Sequence, residues 1–388
     1  MLQVVFWIAI AVVAYTFLGY GIVIGFLVKI KGLLSKKVNQ SEKQFLPEVT
    51  LVVPCYNEAD IIKDKVLNSL GLEYPIGKLK IFFITDGSND NFKDVLSEFP
   101  QVKLLHDDRR AGKTAAENRA MKFVTSPIVV FTDANTVLNS KAIKNIIRHF
   151  SNEKVGCVSG EKRVLVEEED SASSAGEGMY WKYESFLKKM DSMLYSAVGA
   201  AGELVAFRSD LYRDLPEDTI LDDFMQSLLI ASDGYRIVYE PDAYAMETGS
   251  DSTGEELKRK IRISAGGWQS MKRLFFKITP FNLPVLFFQY LSHRVLRWTI
   301  TPFLLVLIFV VNFFLLNQGV IYQLLMLSQL FFYAAALLGY FLESRKIRVK
   351  ILFVPFYFCM MNYAVIAGLI RFMKGSQKST WEKAKRKS

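Results

Sequence analysis

The sequence predicts an α/β domain framed by membrane-spanning helices, and three observations predict it. Apolar residues gather in two blocks, one at each end of the 388-residue chain. Between the blocks, short β-rich runs alternate with helical stretches, as in a sheet built from βαβ units. Strand after strand also ends in a polar cluster, the arrangement that places ligands beyond the carboxyl ends of an open sheet.

The first element is Leu2 to Ile30, which carries no charge until Lys29 and exceeds the roughly 20 residues needed to cross a bilayer. It is too long for a cleaved signal peptide and runs straight into Lys31, Lys36 and Lys37, so it reads as an uncleaved anchor. Three further candidate spans follow in the second block: Arg297 to Leu316, Val320 to Leu342 and Ile351 to Met373. Ile278 to Leu296, interrupted by Pro280, Pro284, His293 and Arg294, suits an amphipathic helix in the interface. The expected organisation is an anchor over 1–30, an α/β domain over 47–277, an interfacial helix over 278–296, transmembrane helices over 297–373 and a basic tail over 374–388.

Lys29, Lys31, Lys36 and Lys37 after the first span place the soluble domain in the cytosol, and Arg345, Lys346, Arg348 and Lys350 agree. Three spans after that domain would export Lys374, Lys378, Lys383, Lys385, Arg386 and Lys387, against the same rule. Either one segment is re-entrant, with Ile351 to Met373 and its Pro355 the first suspect, or the rule is broken. The net charge of +9 resides mostly at span ends, where anionic headgroups are the simpler partner, so nucleic acid is not expected. Cys55, Cys157 and Cys359 lack metal-ligand spacing and read as thiols in a reducing compartment.

Within the α/β domain the expected strands are Val49 to Val53, Leu79 to Thr85, Val102 to Leu105, Ile128 to Thr132 and Val155 to Ser159. Helices are expected over Ala59 to Leu70, Asn91 to Phe99, Gly112 to Phe123 and Lys141 to Asn152. Val164 to Ser192 reads as a mobile connector leading into an amphipathic helix around Trp181.

Several clusters in this domain bear chemistry. Val52-Val53-Pro54-Cys55-Tyr56-Asn57-Glu58 closes the first strand; Pro54 fixes the exit of the chain and Tyr56 offers a ring to a flat base, though an ordinary strand end with a helix cap reads the same. Thr85-Asp86-Gly87-Ser88 alone is a turn. Arg110-Ala111-Gly112-Lys113, with Asn118, sets basic groups before a helix, but the leading glycine of a phosphate loop is absent, which excludes a nucleoside triphosphatase.

Thr132-Asp133-Ala134-Asn135 offers carboxylate and amide oxygens for a hard divalent cation, or forms an Asx turn. Leu221-Asp222-Asp223-Phe224 holds two carboxylates that cap the next helix or take a proton from a hydroxyl. Lys258-Arg259-Lys260-Ile261-Arg262-Ile263 is either a diphosphate clamp or a charged helix facing solvent or headgroups. Gly199-Ala200-Ala201-Gly202-Glu203 allows close backbone approach to a ligand, or a plain turn.

In this order the motifs resemble the membrane-bound family 2 glycosyltransferases, the group that includes hyaluronan, chitin and cellulose synthases. The resemblance covers Val49 through Trp268 and continues into the C-terminal apolar block. It implies a GT-A fold and an inverting transfer from a UDP-sugar, such as UDP-glucose or UDP-N-acetylglucosamine, to a growing glycan at the plasma membrane. It assigns the donor to Pro54, Tyr56, Asn57, Glu58 and Asp86, and its diphosphate to Lys113, Arg259 and Arg262. Magnesium or manganese falls to Asp133 and Asn135, the latter standing where an acidic residue is usual, and the base to Asp223 beside Asp222. The acceptor side falls to Gly199 and Gly202.

The QxxRW motif of processive members is broken, with Arg259 for Gln and Ile263 for Trp, which leaves Trp268 as the nearest aromatic for the acceptor. Few spans make a narrow conduit for a polymer, which leaves room for a homo-oligomer or an export partner. A non-processive transferase acting on a lipid or lipid-linked acceptor fits the broken motif equally well. A third reading is a transporter or glycan-binding scaffold without catalysis; a transporter would place charges inside the spans, whereas Arg294, Arg297, Glu343 and Arg345 fall at their edges, and a scaffold would keep its activity with Asp223 changed to Asn.

Overall fold

The computed structural model of the protein describes residues 1–34, 45–165, 173–248, 252–345, 347 and 349–377. Lys36, Lys37, the acidic part of the predicted connector at 166–172, Lys346, Arg348 and the tail beyond 377 lie outside the described residues.

The chain begins with α1 (Leu2–Ala14), a π turn (Tyr15–Gly19) and α2 (Tyr20–Leu34). There follow β1 (Val49–Cys55), α3 (Ala59–Leu70), β2 (Leu79–Asp86), α4 (Phe92–Ser97), β3 (Val102–Asp107), α5 (Lys113–Met121) and β4 (Ile128–Thr132). The domain continues with β5 (Val137–Leu138), α6 (Ala142–Ile147), β6 (Val155–Leu165), α7 (Ser173–Leu194), β7 (Leu204–Arg208), α8 (Asp222–Ser232), β8 (Arg236–Thr248) and α9 (Thr253–Leu274). The remainder is helical: α10 (Pro284–Tyr290), a π turn (Leu291–Val295), α11 (Leu296–Trp298), α12 (Ile300–Leu315), α13 (Val320–Ser344) and α14 (Lys350–Met373).

The strands form one eight-stranded sheet in the order β3-β2-β1-β4-β7-β6-β8-β5. All five strands expected from sequence are present. β1 is parallel to β2 and β4, so Val52 lies beside both Phe82 and Phe131. β7 then reverses the sheet, running antiparallel to β4 and β6, so the βαβ pattern holds only in the first half. Side chains alternate between two cores, as strand geometry requires. Val52, Ile84, Phe131, Phe207 and Leu228 pack on one face, and Leu51, Val53, Phe83, Ile62 and Ile146 on the other. Cys55 and Cys157 are buried free thiols, and Cys359 is half-buried.

Among the described residues, four helical stretches are long and apolar enough to cross a membrane: Leu2–Leu34, Ile300–Gln318, Val320–Ser344 and Ile351–Met373. α1 packs with α12 and α13 through Phe6, Ala9, Ile308, Val311 and Tyr322. The interfacial helix expected over 278–296 is broken into shorter pieces. Pro284 takes the first turn of α10, where its missing N–H leaves no donor unsatisfied, and the chain before it forms no helix.

Candidate active site

The site lies at the carboxyl ends of β1, β2 and β4. Two loops are stitched together there: the Asn57 amide donates to Ser88 Oγ at 3.1 Å, and the Asn89 amide donates to the Asn57 carboxamide at 3.0 Å. Pro54 sits inside buried β1. Glu58 caps α3 and accepts a bond from the Tyr56 amide. The Arg110 guanidinium lies over the Tyr56 ring, 3.8 Å from its centroid, a cation–π contact that makes a flat platform.

Asp86 is buried, and both its carboxylate oxygens accept backbone amides, from Ala111 at 3.0 Å and Gly112 at 2.7 Å. Its first duty is therefore to shape the basic loop before α5. Asn118 fastens the other side of that helix, donating to the Leu215 carbonyl and accepting from the Leu215 amide and Tyr212 hydroxyl.

Lys113 opens α5 and reaches into a group of carboxylates. Its amine is 2.7 Å from Asp133, 3.8 Å from Asp222 and 3.9 Å from Glu117. Burial opposes its charge, yet Asp133 and then Asp222 hold its pKa well above the usual lysine value. Asp222 and Asp223 form the first turn of α8. Burial, and after it the charge of Asp222, push the Asp223 carboxyl up to about 7, against the pull of Lys113. Gly202 fits closely here; a methyl on it would lie 3.1 Å from the Asp223 carboxylate and 3.3 Å from the Lys113 amine. Gly199 lies instead beneath the Phe224 ring.

Glu117 was not among the residues singled out from sequence, although its place four residues after Lys113 sets both on one helix face. It is buried, and burial together with Asp222 raises its pKa well above the carboxylate range. With Tyr212, Asp222, Asp223 and Gln226 it lines a cavity of about 10 Å³, the size of one water site. Lys65 was also missed. Its buried amine donates to Thr132 Oγ1, Thr136 Oγ1 and the Thr136 carbonyl, bracing the loop that carries Asp133 and Asn135 from below. Burial lowers its pKa to about 7.

The two arginines of α9 singled out from sequence, Arg259 and Arg262, divide. Arg259 pairs with Glu256 at 3.0 Å. Burial lowers the Arg262 pKa against the charges of Asp222, Asp133 and Asp223, and its Nε is buried without a partner among the described residues. Trp268 packs against the core, and its indole N–H is likewise buried without a partner. Trp298 packs on Phe224, the residue after Asp223 in α8, with their rings 5.3 Å apart. Sequence offered no sign of this, since Trp298 belongs to an element distant from the motifs. Trp181, on α7, lies between the amines of Lys162 and Lys260.

A buried polar strut fastens this site to the apolar helices. Glu184 of α7 meets Arg294 at 2.6 Å, Arg297 at 3.0 Å and His293 at 3.4 Å. His293 also meets Asp191 at 2.6 Å, and Asp191 accepts from the Tyr20 hydroxyl and the Gln289 amide.

The sequence and the fold are similar to those of known proteins. The family described as "Glycosyltransferase like family 2" matches residues 47–266. The poly-β-1,6-N-acetyl-D-glucosamine synthase of Staphylococcus epidermidis is 27% identical over 266 residues, covering 65% of this chain and 63% of that protein. The synthase of the same name from Staphylococcus aureus (strain MSSA476) is 29% identical over 257 residues, covering 63% and 61%. The chain thus spans less than two thirds of the length of these relatives. Among solved structures, the mannosyltransferase PcManGT from Pyrobaculum calidifontis, in complex with GDP-Man and Mn2+, matches with a TM-score of 0.73 at 22% identity, over 97% of this chain and 100% of that one.

Proposed function

Because this chain belongs to glycosyltransferase family 2, with a mixed sheet of GT-A type, we propose that it moves N-acetylglucosamine from its UDP donor onto a growing glycan at the cytosolic face of the plasma membrane. The synthases it resembles, named for poly-β-1,6-N-acetyl-D-glucosamine, support that sugar. The observation that carries the reading is Asp223: a carboxyl raised to about 7, at the start of α8 and beside Lys113 and Asp222.

A divalent cation fits the residues present. Asp133 and Asn135 offer hard oxygen ligands, while no group of three or more His, Cys, Asp or Glu placed to hold a metal ion occurs among the described residues, so the donor's oxygens would have to complete the shell. That donor set suits magnesium or manganese completing its shell on diphosphate oxygens. Bound there, the ion would offset the charge that builds on the leaving nucleoside diphosphate. The solved mannosyltransferase was determined with Mn2+.

The chain's own groups then divide the work. Tyr56 and Arg110 receive the base, while Lys113 and Arg262, with its unpaired Nε, face the diphosphate. Asp223 takes the proton of the acceptor hydroxyl as its oxygen bonds to the anomeric carbon and the bond to UDP breaks on the opposite face, which inverts that carbon. The proton ends on the Asp223 carboxylate and the electron pair on UDP.

The base acts only when ionised, so kcat/KM falls as pH drops below about 7. Asp222 raises the Asp223 pKa, so Asp222→Asn moves that acid limb to lower pH. Rate profiles from about pH 5 to about pH 9 check this, and an unmoved limb would dismiss Asp222 as its cause.

Purified protein in lipid, given labelled UDP-N-acetylglucosamine, UDP-glucose or UDP-glucuronate with and without magnesium or manganese, tests the function. A metal-dependent polymer from the first donor is expected, and no turnover with any donor would refute the reading. Ile263 in place of the QxxRW tryptophan favours one alternative, a single transfer to a lipid-linked acceptor, and product length separates the two.

A further inference from the structure

Resting on the reading of this chain as membrane-embedded, we propose that α14 lies in the cytosolic headgroup layer without crossing the bilayer. The chain then has three spans, and the tail after α14 stays on the side of the catalytic domain. Its ligand is the cytosolic leaflet itself, acyl chains under the helix and anionic headgroups at its basic end.

Contacts among the other apolar helices supply a depth scale. Thr16, in the first π turn, meets Thr301 at the start of α12, at 3.3 Å. At the opposite end, Trp7 donates to the Tyr322 hydroxyl at the start of α13, at 3.3 Å. α1 and α12 are therefore antiparallel, with Thr16 and Thr301 at the catalytic-domain end and Trp7 and Tyr322 at the far end. α13 returns from Tyr322 to the domain, where Glu343 accepts from Thr253 of α9 at 2.8 Å.

α14 begins beside that last turn of α13, where a methyl on Gly339 would collide with the Leu352 carbonyl. A crossing helix of 24 residues would descend about 36 Å at roughly 1.5 Å per residue and finish near Trp7 and Tyr322. α14 does not. Midway, Phe358 touches Phe17, next to Thr16, at a ring separation of 5.0 Å. The same ring lies 5.8 Å from Phe332, at the middle of α13. Near its end, Gly368 is seated on Ser264 and Ala265 of α9 so closely that a methyl would lie 2.5 Å from Ser264 Cβ. Ser264 is two residues from Arg262, which feels the charges of Asp222, Asp133 and Asp223. Both ends of α14 are thus held on the catalytic-domain side.

The two faces of the helix agree. Phe353, Phe356, Tyr357, Met360, Ala364 and Gly368 are buried, the first four packing with Leu257 of α9. Ile351, Val354, Tyr363, Ile370 and Met373 are exposed, Ile351 to 80%, an apolar face continuous with the spans that lipid chains would cover. Arg371 and Lys374 close the helix, and the sequence beyond continues with Lys378, Lys383, Lys385, Arg386 and Lys387. This placement puts them with Lys29 and Lys31 on one side, in accord with the positive-inside rule and attraction to anionic lipid. The helix carrying Arg259 and Arg262 is then braced between the leaflet and the sheet.

Single cysteines test the topology in the full-length chain with Cys359→Ala, the other two thiols being buried. Gln318→Cys lies at the turn between α12 and α13, and Lys374→Cys at the end of α14. With a membrane-impermeant maleimide on intact cells, Gln318→Cys is expected to label and Lys374→Cys to label only after permeabilisation. Equal labelling of both on intact cells would mean that α14 crosses, and would overturn the proposal. Labelling of neither until permeabilisation would mean that α12 and α13 do not cross, which overturns the membrane reading as well. Sugar transfer assayed on the same variants reports separately on the catalytic assignment.

Discussion

Asp223→Asn is expected to lower kcat by about 10²- to 10⁴-fold, the usual contribution of a positioned general base, while donor affinity changes little. The amide has the shape of the carboxylate, and its oxygen can still accept the Phe224 backbone N–H that Asp223 engages at the start of α8. What it cannot do is receive a proton. It also removes one negative charge facing Lys113 and the incoming diphosphate, so the donor should bind as well as before or slightly more tightly. Steady-state kinetics with titration calorimetry of the UDP-sugar separates the two effects. Turnover within tenfold of the parent would mean that another group accepts the proton, and Asp222 would be the next to examine.

Glu184→Ala is expected to destabilise the protein by about 3–5 kcal/mol, the range for breaking a buried ion pair by removing one partner. Glu184, His293, Arg294 and Arg297 are all buried. Burial works against the Glu184 charge, yet Arg294 and His293 hold its pKa well below the usual value. Removing the carboxylate takes an ion-pair partner from two buried guanidinium groups, of which that of Arg294 lies 5.4 Å from the Trp298 ring centroid. A surface pair offers the control: Lys63 and Glu98 lie 3.0 Å apart with each side chain 57% exposed, so Lys63→Ala should cost about 0–1 kcal/mol. Thermal unfolding of both variants in the same lipid or detergent makes the comparison. Equal midpoints would show that the buried network adds nothing beyond a surface contact.

Legibility followed the range of the interaction that fixes each element. Val49 to Val53 and Ile128 to Thr132 were readable as strands because strands buried on both faces are continuous apolar runs. β8 was not, since Arg236–Thr248 mixes charges with Pro241 and is held by pairing with β6 and β5. The polar clusters at the strand ends were visible as motifs, and the sequence family followed from their order. Their partners were not visible. Asp86 binding the 111–112 amides and Trp298 reaching Phe224 each depend on where another element lies, whereas Arg259 with Glu256 is an i,i+3 pair within α9.

By itself the sequence determined the α/β class, the four apolar helices, the polar clusters and the chemistry available to them. These are properties of residue type and of neighbours along the chain, where hydrophobic period and turn preference act. The reversal of the sheet at β7, the burial of Glu117 beside Asp222 and of Lys65 beneath the Asp133 loop, and the seating of α14 on α9 came from the three-dimensional packing alone. Those rest on desolvation and close contact between segments far apart in sequence, such as Lys113 with Asp222 and Gly368 with Ser264, and no local pattern encodes which distant surface a side chain will meet.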